Sequence, residues 1–315
     1  MRGSLPCAPS LSPSTLFPCT RNRVDDLKLE SFKGLETIPY EILLKGIKNF
    51  IESNGGWDGF EGLKTIDVCD KFLKPSTVYH QESYCVLVKN DPTDGGSDID
   101  QATAFVSHAW GHEFLDVVAA LEAFEAKQPT PTVFWFDIFS DNQHKAPNRE
   151  FTWWQTVFRD NIGKLKRTLL VLEWNDPKPL SRAWCLWEMV STVDTKSEFH
   201  VLMSPKNHQS FAMALLKDFD NIVFKTCNVD LKSAQAFNPS DRDNIFKAVE
   251  ATAGFDEVNK VVIGIMREWM VESGKGALLG LPEEESCFRA SEFPWLCYSE
   301  CKENWKRLSH SLGNP

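Results

Sequence analysis

The sequence predicts a doubly wound α/β fold: a parallel sheet of five strands in the order 2-1-3-4-5, covered by helices and extended by helical segments at both ends. Three observations predict it. Between Thr103 and Thr226, short apolar runs of strand length alternate with stretches whose apolar residues recur at helical spacing. The strand runs are almost continuously apolar, as strands buried on both faces must be. Before Ser97 and after Asp241, helical periodicity and helix punctuation take over.

Taken in order, residues 1–24 carry no acidic side chain, three Arg and many Ser and Pro. They read as a disordered tail, and the same composition is compatible with organellar import. Residues 25–97 form a helical extension. Within it Ile38-Pro39 opens a run in which Tyr40, Ile42, Leu43, Ile47, Phe50 and Ile51 share a helical stripe, ended by Gly55-Gly56. A second short helix over 65–72 is stopped by Pro75. The polar stretch Asp91-Pro-Thr-Asp-Gly-Gly-Ser97 marks a boundary, after which an α/β domain occupies 98–234. Its strands are 103–107, 132–137, 168–172, 199–203 and 222–226. The helices between them lie over 114–124, 153–165, 181–193 and 209–219. A helical C-terminal extension fills 235–315, periodic from Asp241 to Val271. No internal repeat of roughly 20 to 50 residues is present.

Composition narrows the function. Hydrophobic residues make up 42% of the 315 and charged residues 25%, the balance of a globular protein with a real core. Asp and Glu outnumber Lys and Arg by 44 to 34, a formal charge of -10, so general nucleic-acid binding through a basic face is excluded. No apolar run reaches the ~20 residues of a membrane-spanning helix. Nine cysteines, an odd number without a framework, point to free thiols in a reducing, cytoplasmic setting. Cys297 and Cys301, with Cys287 and His310 nearby, do not have usual zinc spacing, and no metal is expected.

In a doubly wound sheet, ligands bind beyond the carboxyl ends of the strands. Three loops fall there: Ser107-His-Ala-Trp-Gly-His112, Asp137-Ile-Phe-Ser-Asp-Asn-Gln-His144 and Glu173-Trp-Asn-Asp176. No dinucleotide fingerprint, P-loop or nucleophile elbow occurs. Seven of the eleven tryptophans lie between residues 110 and 187. Trp110 and Trp174 stand at strand ends beside polar residues, where an indole either stacks a flat ligand or packs against its own fold. His108 and His112 are four apart, but Gly111 intervenes, which favours hydrogen bonding over a shared metal. Ser181 reads as the N-cap of the next helix, and on it Trp184 and Glu188 share a face. By spacing alone Glu188 is either a solvated or Arg-paired residue or a functional one. The expectation is that Ser107, His108, Trp110, Asp137, Trp174 and Glu188 line one cleft.

These residues resemble a family. Phe105-Val-Ser-His108, Phe136-Asp137 and Ser181-x-x-Trp-Cys-x-x-Glu-Met189 look like the Toll/interleukin-1 receptor (TIR) domain, over residues 101–230. The wider set FVSHAWG, FWFDIFSDNQH, TLLVLEWNDP and LSRAWCLWEM is similar to a TIR-like group of algae, oomycetes and amoebae. Its members are often fused to tetratricopeptide repeats. The resemblance implies a flavodoxin-like fold and, in catalytic members, cleavage of the nicotinamide-ribosyl bond of NAD. It puts Glu188 in the catalytic role with NAD as substrate, not as cofactor; Ser107, His108, Trp110, Asp137, Trp174 and Trp184, picked out by the strand-end rule and helix spacing, are then the residues expected to bind it. It also implies homo-oligomers formed through the loop at 139–148. Two alternatives stay beside the enzyme: a non-catalytic adaptor acting by self-association, and a nucleotide-binding sensor. His108-Ala-Trp110 stands where the family has an Arg-containing turn, and the loop after the second strand lacks the family's D-x-x-x-x-G run.

Overall fold

The computed structural model describes residues 39–91, 96–145 and 151–279. Among these residues six strands form one mixed sheet: β1 (Tyr40–Leu43), β2 (Ile99–Gln101), β3 (Ala104–Ser107), β4 (Val133–Trp135), β5 (Arg167–Val171) and β6 (Glu198–Leu202). Their order is β2-β1-β4-β3-β5-β6. β4, β3, β5 and β6 are parallel to one another, whereas β1 runs antiparallel to both β2 and β4. The longer helices are α1 (Leu44–Ser53), α2 (Phe114–Glu125), α4 (Phe151–Leu165), α5 (Ala183–Asp194), α6 (Pro205–Lys217), α7 (Phe219–Cys227), α8 (Pro239–Ala251) and α9 (Phe255–Leu279), with one turn, α3 (Asp137–Ser140), after β4. None of the described helices is long and apolar enough to cross a membrane.

The expected five-stranded parallel sheet is therefore corrected to four adjacent parallel strands, with β1 reversed at their edge and β2 beyond it running in their direction again. The run 222–226, read as a strand from its β-branched and aromatic residues, lies inside α7. Two physical reasons decide it. Only Asp218 separates α6 from α7, too short a link for the chain to return along the sheet as a further parallel strand. Ile222 and Thr226, one helical turn apart, are both buried, while Phe224 between them is 66% exposed.

The helical stripe expected from Tyr40 likewise begins as a strand. β1 pairs with β4 through Ile42 opposite Phe134 and Leu43 opposite Val133, and with β2 on its other side. It thereby covers a sheet edge that would otherwise expose unpaired backbone groups. Pro75 does not stop the preceding helix. The chain runs as α-helix over Thr65–Val68, as a π turn over Cys69–Leu73 and as α-helix again over Lys74–Thr77, with the proline in the first turn of the last segment. Ser181 is not an N-cap. It closes a 3-10 turn (Lys178–Ser181), its hydroxyl donates to the Lys178 carbonyl, and Arg182 precedes α5. The tail 1–24, the second half of the 139–148 loop and Cys287, Cys297, Cys301 and His310 lie wholly or partly outside the described residues.

Alternation along β3 sets the layers. Ala104 and Val106 face a large apolar cluster with Ile47 and Phe50 of α1 and Val117, Val118 and Leu121 of α2. Phe105 faces the other way, stacked on Trp135 at 4.6 Å, against Phe158 and Ile162 of α4. Each such buried aromatic contributes on the order of 2–3 kcal/mol. Trp135 is thus a packing residue. β3 lies between β4 and β5, with α2 on one face and α4 on the other, so the topological switch falls at the carboxyl end of β3. One compact unit ends at Arg267 and a second begins at Glu268; the described part of the second, up to Leu279, is helical.

Candidate functional site

β3 ends at Ser107, and the chain leaves the sheet in a loop that other backbone segments hold in place. Thr65 and Ile66 donate their N–H groups to the carbonyls of His112 and Trp110, at 3.1 Å each. The Lys178 ammonium donates to the Gly111 carbonyl at 3.2 Å, and the Cys185 thiol donates to the His108 carbonyl at 3.4 Å. This last contact ties the first turn of α5 to the end of β3. Two turns into α5, Thr192 stitches the helix to the sheet by donating to the Glu188 carbonyl or to Thr168 of β5, both at 2.8 Å. The register of α5 on β5 is therefore fixed by polar contacts as well as by packing.

Glu188 is brought to Ser107 by that register. The Ser107 hydroxyl donates to Glu188 Oε2 at 2.6 Å, with Ser107 1% and Glu188 7% exposed. Asp137 follows β4 and its flanking Phe136, close enough for its charge to raise the Glu188 carboxyl. Its Oδ2 accepts from the Trp110 indole N–H at 2.6 Å and its Oδ1 from the Ile138 backbone N–H at 2.8 Å. His108 Nδ1 stands 3.8 Å from Asp137 Oδ1, beyond hydrogen-bond length.

Burial sets the charges. It pushes the Glu188 carboxyl up to about 8; the Ser107 hydrogen bond opposes this and the neighbouring Asp137 adds to it. Burial also pushes Asp137 up to about 6, against the hydrogen bonds from Trp110 and Ile138. It drives His108 down to about 3, so the imidazole is neutral at pH 7 and makes no ion pair with Asp137. His112 is driven down to about 4 by burial, helped by His108 and Lys178. His108 Nε2 and both ring nitrogens of His112 are buried without a hydrogen-bond partner. The Cys185 thiol, raised by burial and by Glu188, is inert. At pH 7 Glu188 is protonated and Asp137 is largely ionised. No Lys or Arg among the described residues forms an ion pair with either acid, and no described group of three or more His, Cys, Asp or Glu could hold a metal ion.

Of the residues expected in one cleft, Ser107, His108, Trp110, Asp137 and Glu188 come together. Trp174 does not join them. Its N–H donates to the Ser210 hydroxyl of α6 at 2.9 Å, its ring packs near Phe211, and Lys225 of α7 lies over it at 5.9 Å. Trp184 points to Phe151 and Phe158 of α4 and donates to Asp241 of α8 at 3.3 Å, so helical spacing put it on the wrong side of α5 for Glu188. Nor is the cluster an open cleft, given the burial of Ser107 and Glu188. A cleft of about 310 Å³ opens at the opposite, amino edge of the sheet, between Thr103, Pro129, Arg167 and Glu198. There Arg167 is already paired with Glu198 at 3.1 Å, and no side-chain atom of its lining is buried without a partner. At the carboxyl edge, by contrast, neither acid is paired with a Lys or Arg among the described residues.

Sequence reasoning missed Glu41. It sits on β1, 4% exposed, beside Cys85 and Ser140, with Oε2 unpartnered and its carboxyl pushed up to about 7 by burial. The available signal was an acid inside an otherwise apolar run, which a helical reading assigned to a solvated face. No protein-family model matches this chain, and no characterised protein or solved structure is significantly similar to it.

Proposed function

We propose that the chain is a TIR-like NAD glycohydrolase in which Glu188 acts on the nicotinamide-ribosyl bond. One observation carries this reading: two facing carboxyl groups, Glu188 and Asp137, at the topological switch of the sheet, with no basic side chain among the described residues paired to either. An acid pair of this kind complements a cation, and the nicotinamide ring of NAD is a pyridinium. Its entry would supply the missing positive charge and draw Glu188 back to the carboxylate. That carboxylate then stabilises the oxocarbenium-like ribose as neutral nicotinamide leaves, a departure that needs no proton. Access requires the loop carrying Trp110 to move, which breaks the indole hydrogen bond to Asp137 and frees the ring to stack on the substrate.

The test is NAD incubated with the full chain at high protein concentration, following free nicotinamide, against Glu188→Gln. Release by wild type and its loss in the variant is the expected result. Equal release from both removes Glu188 from the chemistry. A second reading rests on the burial of the same pair. A Glu188 that stays buried and neutral is a structural acid, and the chain then acts as a non-catalytic adaptor that self-associates through the 139–148 loop. No release from either protein, with assembly confirmed, selects that reading.

A further inference from the structure

We infer that Asp137 is the general base that activates the attacking water, an assignment that rests on the glycohydrolase reading. Three observations carry it. Ser107 touches Glu188 at 2.6 Å and the next residue, His108, stands 3.8 Å from Asp137, so the two acids border one site. Its side chain is 22% exposed where Glu188 is nearly sealed, so of the two acids Asp137 is the one that solvent reaches. Its oxygens accept from two donors, Trp110 on Oδ2 and the Ile138 backbone N–H on Oδ1, and the Ile138 bond holds the carboxyl in place when the indole swings away. Departure of Trp110 on opening frees Oδ2 for the water.

The other groups near Asp137 are unsuited to the task. His108 is driven down to about 3, far too weakly basic, and its Nε2 is buried. Burial pushes the Cys69 thiol up to about 12 and the Cys185 thiol well above its ordinary value, so both are neutral and protonated. Glu188 is occupied by Ser107 and, in the reaction, by the ribosyl cation. No Lys or Arg among the described residues pairs with Asp137, so it keeps its basicity and is ionised near neutral pH.

The step balances simply. The bond from ribose C1′ to the nicotinamide nitrogen breaks, and the electron pair leaves with nicotinamide. Water oxygen forms the new bond to C1′ while one of its protons passes to the Asp137 carboxylate. Products are ADP-ribose, nicotinamide and one proton, later released to solvent.

Replacing water by a nucleophile that has no proton to lose separates this role from every other. Wild type, Asp137→Asn and Glu188→Gln are each given NAD with and without saturating 3-acetylpyridine, whose ring nitrogen attacks C1′ directly. Whatever Asp137→Asn costs in holding the pyridinium, it should lower the ratio of hydrolysis to 3-acetylpyridine dinucleotide formation by on the order of 10²-fold or more. Glu188→Gln should lose both reactions. Asp137→Ala should regain hydrolysis in formate, which enters the vacated, partly exposed position. Hydrolysis by Asp137→Asn within about threefold of wild type, or equal loss of both reactions with no formate rescue, overturns the base assignment and leaves the glycohydrolase reading standing. Absence of any NAD cleavage by wild type overturns that reading and, with it, the role of Asp137.

Discussion

Glu188 and Glu41 are both buried glutamates beside a serine hydroxyl, one on the helix packed against the parallel strands and one on the antiparallel strand β1. Burial raises both, Glu188 to about 8 and Glu41 to about 7, from the ordinary 4.5. A third buried acid, Asp98, shows the alternative: Lys45 pairs with it at 3.0 Å and Asn49 donates to it at 2.7 Å. What separates Glu188 from Glu41 is therefore not burial or a raised proton affinity. Glu188 has a second carboxyl facing it and sits at the carboxyl end of β3. Glu41 has Ser140 and the neutral Cys85 thiol around it, on a strand recruited to cover an edge. A perturbed acid is a candidate only when its neighbours leave a charge for a ligand to complete.

The largest test of that distinction is catalytic. Glu188→Gln should reduce nicotinamide release by on the order of 10²-fold or more, because an amide keeps the shape and loses the charge. Glu41→Gln should leave turnover within about twofold of wild type. Equal losses in the two variants would erase the contrast.

The pH profile sharpens it. If the carboxylate form of Glu188 is required, kcat/KM for NAD should rise about tenfold per pH unit toward about 8 and flatten above it. Glu41→Gln should leave this profile where it is. A plateau already reached at pH 6 would show that another group controls the rate.

Stability should depend on pH in the opposite sense. Between about 4.5 and the folded-state value, the unfolded chain has lost the glutamate proton that the folded chain retains, so stability falls as pH rises. For Glu41 the decline ends near 7 and costs about 3 kcal/mol across its window, and for Glu188 it ends near 8 and costs about 5 kcal/mol. The interval from 7 to 8 belongs to Glu188. Chemical denaturation in steps across it should show a decline in wild type and in Glu41→Gln, and a flat line in Glu188→Gln. On the acid side, His108 and His112 have folded values near 3 and 4 against an ordinary 6.5, so they withdraw stability as pH falls below 6.5.

The smallest effect concerns the tryptophans. Trp174→Ala should leave KM for NAD unchanged and lower stability by about 1–3 kcal/mol, since the indole packs on α6 and α7. Trp110→Ala should raise KM, since stacking acts on ground and transition states alike. A larger KM change for Trp174 than for Trp110 would mean that the ligand lies on the β5 side of the edge.

Much of the parallel core was legible because its strands are buried on both faces and read as continuous apolar runs; 103–107, 132–137, 168–172 and 199–203 all contain strands. The run at 222–226 has the same composition and is helical, because a single-residue link to α6 leaves no chain to reach the sheet. Tyr40 to Leu43 misled in the opposite direction. Apolar residues at 40, 42 and 43 fit a helical stripe and a covering strand equally well, and only pairing with β4 distinguishes them. Loops of interest could be named from the switch-point rule, yet the rule cannot say which way a side chain turns. Trp184 and Glu188 share a helical spacing and point to different partners.

Local chemistry, then, is what the amino-acid sequence determined by itself: which segments are apolar enough for buried strands, which loops carry acids, imidazoles and indoles, and that Glu188 lies on the helix after β5. Those follow from periodicity and residue type, which act over a few residues. Tertiary structure decided the rest. It folded β1 back onto β4, turned Trp174 and Trp184 away from the acids, sealed Ser107 and Glu188 in contact across 81 residues, and left Asp137 at the rim. Proton affinities near 6 and 8 exist only in that arrangement, because desolvation and charge act through space and not along the chain.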